Sequence, residues 1–430
     1  MNSIHRIIGR TPLLAGLPRE VAVLTAVAFC VALGFGILAP AIPVFARTFG
    51  VSALEASEVI SIFALVRFVT SPLAGALVNR FGERMVLASG VGIVALSSAA
   101  AGFSGDFVHL LLLRGIGGLG SSMFTVSAMA LLLRVVDIEQ RGRAASAYQG
   151  GFLIGGVAGP AVGGLVIAWS VRAPFFVYAF TCAVAAIIAM AFLAKARLHD
   201  REEQVSHGQA GRLEQLTDAL KDGAYRAALT VNFVTGFVLF GLRLSIIPLF
   251  VVEGLQRSAS LTGIALLIAA VVQAILLLPV GRAADTRGRR PIMIIGSIGL
   301  AVGMLAITVA DVARNGLGAA SLIPVTIFLI AMAIQGASSA FLGSAPTAVV
   351  GDIVGGRRGG IVVATYQMMS DFGTIIGPLV AGLLVDLFDF DAAFLAGTVL
   401  SMLAVIVVWL MPETLRRGPA READRPKEST

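Results

Sequence analysis

YQGGFLIGGVAGPAVGGL, residues 148–165, returns 218 positions later as YQMMSDFGTIIGPLVAGL, residues 366–383. Tyr148 falls on Tyr366, Gly159 on Gly377 and Pro160 on Pro378. Three more pairs recur in the same order. GFGILAPAIPVF from Gly34 matches LFGLRLSIIPLF from Leu239 at an offset of 205, and GALVNRFGER from Gly75 matches GRAADTRGRR from Gly281 at 206. GSSMFTVSA from Gly120 matches ASSAFLGSA from Ala337 at 217. Ordered matches whose offsets drift only by loop insertions mark a duplicated unit repeated in parallel along the chain.

The solvent of this unit is lipid. Its 430 residues would make two or three soluble domains by length, but 57% are apolar and 13% charged, against about a quarter charged in a soluble domain. Mean hydropathy is +0.92. The 49 glycines and few aromatics suit closely packed membrane helices better than a β-barrel. Cys30 and Cys182 each lie in an apolar run, which excludes a disulfide framework, and no Cys/His spacing suggests a metal. No cofactor is expected.

Crossing a hydrocarbon core of about 30 Å takes roughly 20 apolar residues. Twelve stretches qualify: 20–46, 56–78, 85–104, 107–133, 146–168 and 174–194, then 227–252, 261–281, 291–310, 320–350, 361–387 and 391–411. The first is too long for the apolar region of a secretory signal and carries Pro43 of the repeat, so it reads as a retained span. The fold class is therefore an all-α membrane protein of twelve transmembrane helices in two six-helix halves. The expected divisions are 1–194, a polar connection 195–226, 227–411, and a tail 412–430. Of 32 Lys and Arg, 25 fall in segments on one side of the bundle, both termini included. Four (Arg47, Arg172, Arg257 and Arg314) fall on the other side. The positive-inside rule then puts both termini in the cytoplasm of a cell carrying the protein as a multi-pass component of its cytoplasmic membrane. The net charge of +7 is a topological signal and does not point to nucleic acid.

Over its whole length the chain resembles the major facilitator superfamily. The link between the second and third spans stands as Gly75, Leu77, Asn79, Arg80, Gly82 and Arg84. It is similar to the family pattern Gly-x-Leu-Ala-Asp-Arg-x-Gly-Arg-Lys, with Asn79 in place of the Asp. The second copy keeps that carboxylate in Gly281, Asp285, Arg287, Gly288, Arg289 and Arg290. A tight turn at the glycine with basic residues on the inner face is its physical content. Arg114, Gly118 and Gly120 of the fourth span match the family's Arg-x-x-Gln-Gly-x-Gly, with Gly117 where Gln is usual, and Gly155, Gly159, Pro160, Gly163 and Gly164 match Gly-x-x-x-Gly-Pro-x-x-Gly-Gly. The last pattern resembles the antiporter motif of twelve-span drug:proton antiporters; Gly377 and Pro378 repeat its centre. Glycines at 151, 155, 159 and 163 share one helical face, where another helix can approach closely. The resemblance implies that this seam joins the two halves. GIGGLG at 115–120 satisfies a dinucleotide pattern, yet it lies in an apolar span with no preceding strand, and DFG at 371–373 has none of its kinase companions.

Three arginines remain inside the spans: Arg67, Arg114 and Arg243. Each costs about 2.5–3.5 kcal/mol near the bilayer centre unless it faces water or a partner. Asp371 reads as the only carboxylate well inside the bilayer. A rise of 1.5 Å per residue puts Arg67 roughly 18 Å and Asp371 roughly 15 Å from the cytoplasmic ends of their spans. The resemblance makes these spans neighbours across the halves and so implies an ion pair. Asp371, Arg67 and Arg114 are the expected proton-coupling residues. Arg243, Arg114, Arg67, Asn232, Gln273 and Gln335 are candidates for the substrate. His109 reads as interfacial; His5, His199 and His207 read as solvated.

The expected function is proton-coupled efflux of amphiphilic drugs or metabolites by alternating access. The alternative is a carrier of organic anions or lipids that uses the three arginines. No nucleotide-binding domain, GxSG-like site or paired-Asp arrangement points to an enzyme. The expected partners are a small-molecule substrate, protons and the bilayer, with the chain a monomer.

Overall fold

Hydrocarbon offers no hydrogen bonds, so a backbone crossing it must satisfy its own polar groups, and helices do this within one segment. The computed structural model describes residues 17–136, 140–193, 209–318, 321–354 and 360–415. Outside the described residues lie 1–16, 194–208 of the central connection, Arg357, Arg358, the tail from 416, and the three histidines expected to be solvated.

The first half comprises α1 (Arg19–Leu38), α2 (Ala41–Arg47), α3 (Ala53–Phe81), α4 (Glu83–Gly102), α5 (Phe107–Val135), α6 (Arg141–Trp169) and α7 (Ala173–Phe192). The amphipathic α8 (Gln209–Lys221) precedes the second half. That half comprises α9 (Gly223–Thr235), α10 (Arg243–Leu249), α11 (Ser260–Arg287), α12 (Arg289–Leu317), α13 (Ile323–Val354), α14 (Gly360–Leu387) and α15 (Phe390–Leu410). Pro40 separates α1 from α2, which together make one span. At the matching place, π-helical turns Gly236–Leu242 and Phe250–Gly254 flank α10, which contains Pro248. A proline removes a donor and forces such local changes of pitch. Among the described residues eleven helices are long and apolar enough to span, and twelve when α6, bent by 40° between Pro160 and Val162, counts as one.

Most helices run past the apolar stretches seen in the sequence. α12, expected to leave the bilayer at residue 310, continues to Leu317. Asp311 is thereby enclosed at 1% exposure, so Asp371 is not the only carboxylate within a spanning helix. Apolar composition marks the lipid-facing length, whereas the helix ends where its caps lie. Ser52 caps α3 with a reciprocal Ser52–Glu55 box, and Asp106 caps α5 by accepting the His109 N–H at 2.9 Å while its other oxygen pairs with the His109 ring.

The repeat in sequence is a repeat in packing. α1 lies along α6, α4 against α5 and α7, and α3 against α5. In the second half α9 and the first π-turn lie along α14, α12 against α13 and α15, and α11 against α13. Two seams join the halves, α3 with α14 and α6 with α11. Side chains facing away from these contacts, such as Leu96, Leu165, Leu278 and Trp169, are exposed apolar groups suited to lipid.

The glycine stripe of α6 corrects one expectation. It does not join the halves; its partner is α1 of the same half. A Cβ at Gly151 would stand 2.4 Å from the Thr25 carbonyl oxygen, one at Gly155 2.6 Å from that of Phe29, and one at Gly159 2.7 Å from Cα of Gly36. Glycines every four residues show that some helix comes close without saying which. Only the neighbouring Gly164 crosses, packing on Gly263 of α11, and its repeat mate Gly382 packs on Leu54 of α3.

Replacing Gly155 by Leu should therefore force α1 off α6 and destabilise the purified protein by about 1–3 kcal/mol. Gly156→Ala should leave thermal unfolding in detergent unchanged, because a Cβ there has no atom within 4 Å.

Candidate functional site

The helix ends carrying Arg80, Arg84, Arg287 and Arg289 define a basic end of the bundle, and Arg47, Arg172 and Arg257 mark the opposite end. α3 enters at the opposite end and α14 leaves there, so the two run antiparallel along their seam. From the opposite end inward, Asp386 of α14 accepts the N–H groups of Ala53 and Leu54, both at 2.8 Å. Gly382 rests on Leu54, and the Ser61 hydroxyl donates to the Ile375 carbonyl at 2.8 Å. At mid-depth the Arg67 guanidinium donates to the Asp371 carboxylate. Both side chains of that ion pair are about one-third exposed (30% and 31%), so protein does not seal the charge pair set within the bundle.

Among the described residues the other two arginines have no carboxylate partner. Arg114 is 2% exposed, lies over the Phe63 ring at 4.4 Å and leaves its Nε without a partner. A cation over a ring face recovers part of what desolvation costs. Arg243 begins α10, half-buried, and its Nε also lacks a partner. The amide candidates do different things. Asn232 Nδ2 donates to the Tyr366 carbonyl at 2.5 Å and ties α9 to α14. Gln335 is fully buried between α12 and α13, its Nε2 3.9 Å from Met304 Sδ and its Oε1 unpartnered. Gln273 is half-buried on α11. The structure thus brings Arg67 and Asp371 together and leaves Gln335 enclosed within one half.

At the basic end the two link motifs turn on Gly82 (φ +80°) and Gly288 (φ +115°), a region that side chains avoid. Asn79, Arg80 and Arg287 are exposed, and Gly75 has no atom within 4 Å of where a Cβ would stand. Arg84 donates to the Met190 carbonyl at 2.7 Å. Three ion pairs here escaped the sequence reading. Glu83, the first residue of α4, accepts from Arg134 of α5 at 2.9 Å. Arg289, the first residue of α12, pairs with Asp352 of α13 at 3.2 Å and with Asp285 at 3.4 Å. Arg134 and Asp352 are 218 residues apart, the repeat offset, so the copies make the same bridge with opposite signs. That offset was the signal available. Glu413, just beyond α15, caps α12 by accepting the Arg289 N–H at 2.9 Å and the Arg290 N–H at 3.1 Å. Burial pushes its carboxyl up, but hydrogen bonds from four backbone amides outweigh that and hold it below the usual glutamate range. At the opposite end Arg47 grips Glu253 across the halves with two bonds of 2.6 and 2.8 Å. Sequence alone placed Arg47 in a loop and gave it no partner.

Two six-helix halves related as parallel repeats, joined along two seams with an ion pair crossing one at mid-depth, define a membrane transporter. The chain belongs to the Major Facilitator Superfamily, whose model matches residues 24–256 and 228–429. It is 24% identical to multidrug resistance protein 2 of Bacillus subtilis over 89% of this chain and 92% of that protein. With the quinolone resistance protein NorA of Staphylococcus aureus it shares 25% identity over 50% of this chain and 53% of that one. Among solved structures it resembles a bacterial homolog of the human lysosomal transporter Spinster, described as inward-facing and unoccupied. The TM-score is 0.73 at 17% identity, covering 91% of this chain and 96% of that one. It also resembles a D-xylose–proton symporter, with a TM-score of 0.70 at 18% identity over 92% and 98% of the chains.

The opposed bridges make a charge-swap experiment direct. Glu83→Arg alone should set like charges together and destabilise the purified protein by on the order of 3 kcal/mol. Glu83→Arg with Arg134→Asp, which copies the second half, should recover most of the loss in thermal unfolding.

Proposed function

We propose that the protein exports amphiphilic drugs or metabolites across a bacterial-type cytoplasmic membrane in exchange for protons. The basic end faces the cytoplasm, as the distribution of Lys and Arg supports. The halves rock about the middle of the bundle so that access alternates between its two ends. The observation that carries the reading is the ion pair of Arg67 with Asp371 across the α3/α14 seam. A carboxylate with a guanidinium partner in one conformation and none in another changes its proton affinity between the two. Such a pair links proton uptake to conformation without further machinery. Asp371 is the coupling carboxylate and Arg67 competes with the proton for it. The drug-resistance names of the relatives support the substrate class.

The conformation supports the same direction of opening. The named bonds between halves begin at the opposite end with Arg47–Glu253 and Asp386 and reach inward to Arg67–Asp371. Toward the basic end, Gly75 on α3 and Gly281 on α11 look onto open space. Closed away from the basic end, the bundle is poised to receive solute from the cytoplasm.

A second reading has its own observation. Asp371 balances Arg67, whereas Arg114 has only an aromatic face and Arg243 no ionic partner, which leaves the middle of the bundle net positive. That field favours an anionic or zwitterionic solute and opposes a cation.

In a pump-deficient host, the protein should lower accumulation of dyes and drugs, a protonophore should abolish the effect, and Asp371→Asn should reduce it at least about tenfold, the equivalent of roughly 1.4 kcal/mol. Full proton-driven export by Asp371→Asn rules out the coupling role. For the second reading, Arg243→Gln separates the cases by equilibrium binding to purified protein. An anion carrier should lose about tenfold or more in affinity for its solute, whereas a drug exporter should keep its affinity.

A further inference from the structure

The two seams between the halves are chemically unlike. On α6 and α11 the named contact is Gly164 against Gly263, whose backbones meet directly. The repeat offsets show what the other seam has added. Leu153 stands at the position of Asp371, Ala168 at that of Asp386, and Gln273 at that of Arg67. All three charged positions of the α3/α14 seam are therefore uncharged on the seam related to it.

The outermost of them does a specific job. The first N–H groups of a helix have no partner within the helix, and the positive end of its dipole lies there. Within α3, Ser52 satisfies the Glu55 N–H at 3.2 Å. The N–H groups of Ala53 and Leu54 are left to Asp386, which reaches them from the other half with one oxygen each, at 2.8 Å. Near this contact Arg47 binds Glu253, also across the halves. Separating the halves at this end would strip two donors and a carboxylate of each other at once. On the α6/α11 seam the same motion parts the backbones of Gly164 and Gly263, which meet in van der Waals contact. We propose that Asp386 is a positioning residue for transport: it latches the opposite end of the bundle by capping α3 across the interface, and that end opens only when Asp386 releases α3. The preference for the closed state then rests on this bonded side, where Arg47–Glu253 stands beside the α3/α14 seam, and the glycine seam serves as the side on which the halves slide.

This inference rests on the alternating-access reading but not on the identity of substrate or coupling ion. The test reads distances between spin labels in purified protein, with no substrate and no proton gradient. Cys30 and Cys182 are replaced by Ala. One label pair sits at Gly105→Cys and Gly316→Cys, across the halves at the opposite end; a second sits at Gly75→Cys and Gly281→Cys toward the basic end. None of these four sites has an atom within 4 Å of a new Cβ. Asp386→Asn should raise the ratio of open to closed at the first pair about fivefold or more, the size of a lost helix cap, with matching shortening at the second pair. Asp386→Glu should keep the parent distribution. Ala53→Pro deletes one of the two donors at a helix position that accepts proline and should shift the ratio the same way by less. Distributions for Asp386→Asn and Ala53→Pro that superimpose on the parent at both pairs overturn the latch. If Asp386→Asn does not yield folded protein, Ala53→Pro decides on the same two distances. Failure of the latch leaves drug export standing, and absence of drug export leaves a measured latch standing.

Discussion

A charge inside a bilayer has to be answered locally, and the ways in which this chain answers its charges organise the rest of the structure. Arg67 is answered by a carboxylate from the other half, Arg114 by the face of Phe63, and Arg243 by no ionic group. Each answer imposes a different demand. The first ties the two halves together. The second keeps a guanidinium inside one half, where it can hold a field without moving. The third leaves a positive centre beside two turns of altered pitch. The duplicated scaffold is close to symmetric in its packing, and these charges are where the symmetry ends: the repeat mates of Arg67, Asp371 and Arg243 are Gln273, Leu153 and Leu38. Function in such a scaffold resides in the departures from the repeat.

Much of this could be read from the sequence, for reasons that are physical. Lipid tolerates only long apolar helices, so spans declare themselves. Duplication leaves offsets that survive divergence because turns and close approaches need particular residues, as Gly82 and Gly288 do with positive φ. Depth along a helix follows from residue count, which is why Arg67 and Asp371 could be set at one level before any coordinates. Partners were harder. The α6 stripe announces a close neighbour, yet glycine carries no information about which one, and the neighbour is α1 rather than the other half. Asp311 and Glu413 were passed over because hydropathy sees a carboxylate near a helix end as the start of a loop, and Asp386 because it falls in the last turn of its apolar stretch. In the folded chain Asp386 and Glu413 instead cap the first turn of another helix. A helix terminus is a local feature, but the group that satisfies it can come from more than three hundred residues away.

The placement of glycine and proline adds a mechanical layer. α1 and α6 touch backbone to backbone over three turns, and α14 meets the first π-turn in the same manner through Gly373 and Gly377. Contacts of this kind have no side chains to repack, and each pair is packed backbone to backbone. The seams between halves combine one such smooth contact with one row of specific bonds.

The bridges at the basic end bear on how the chain descends from its duplicated ancestor. Glu83 with Arg134 and Arg289 with Asp352 occupy equivalent positions with the signs exchanged. Copying a short tract from one half into the other would pair Arg134 with a second arginine, or Glu83 with an aspartate. Recombination between the repeats would thus be penalised wherever a breakpoint falls between the two members of a bridge. A sign-opposed pair would in this way keep the chemistry of each half separate within a shared frame.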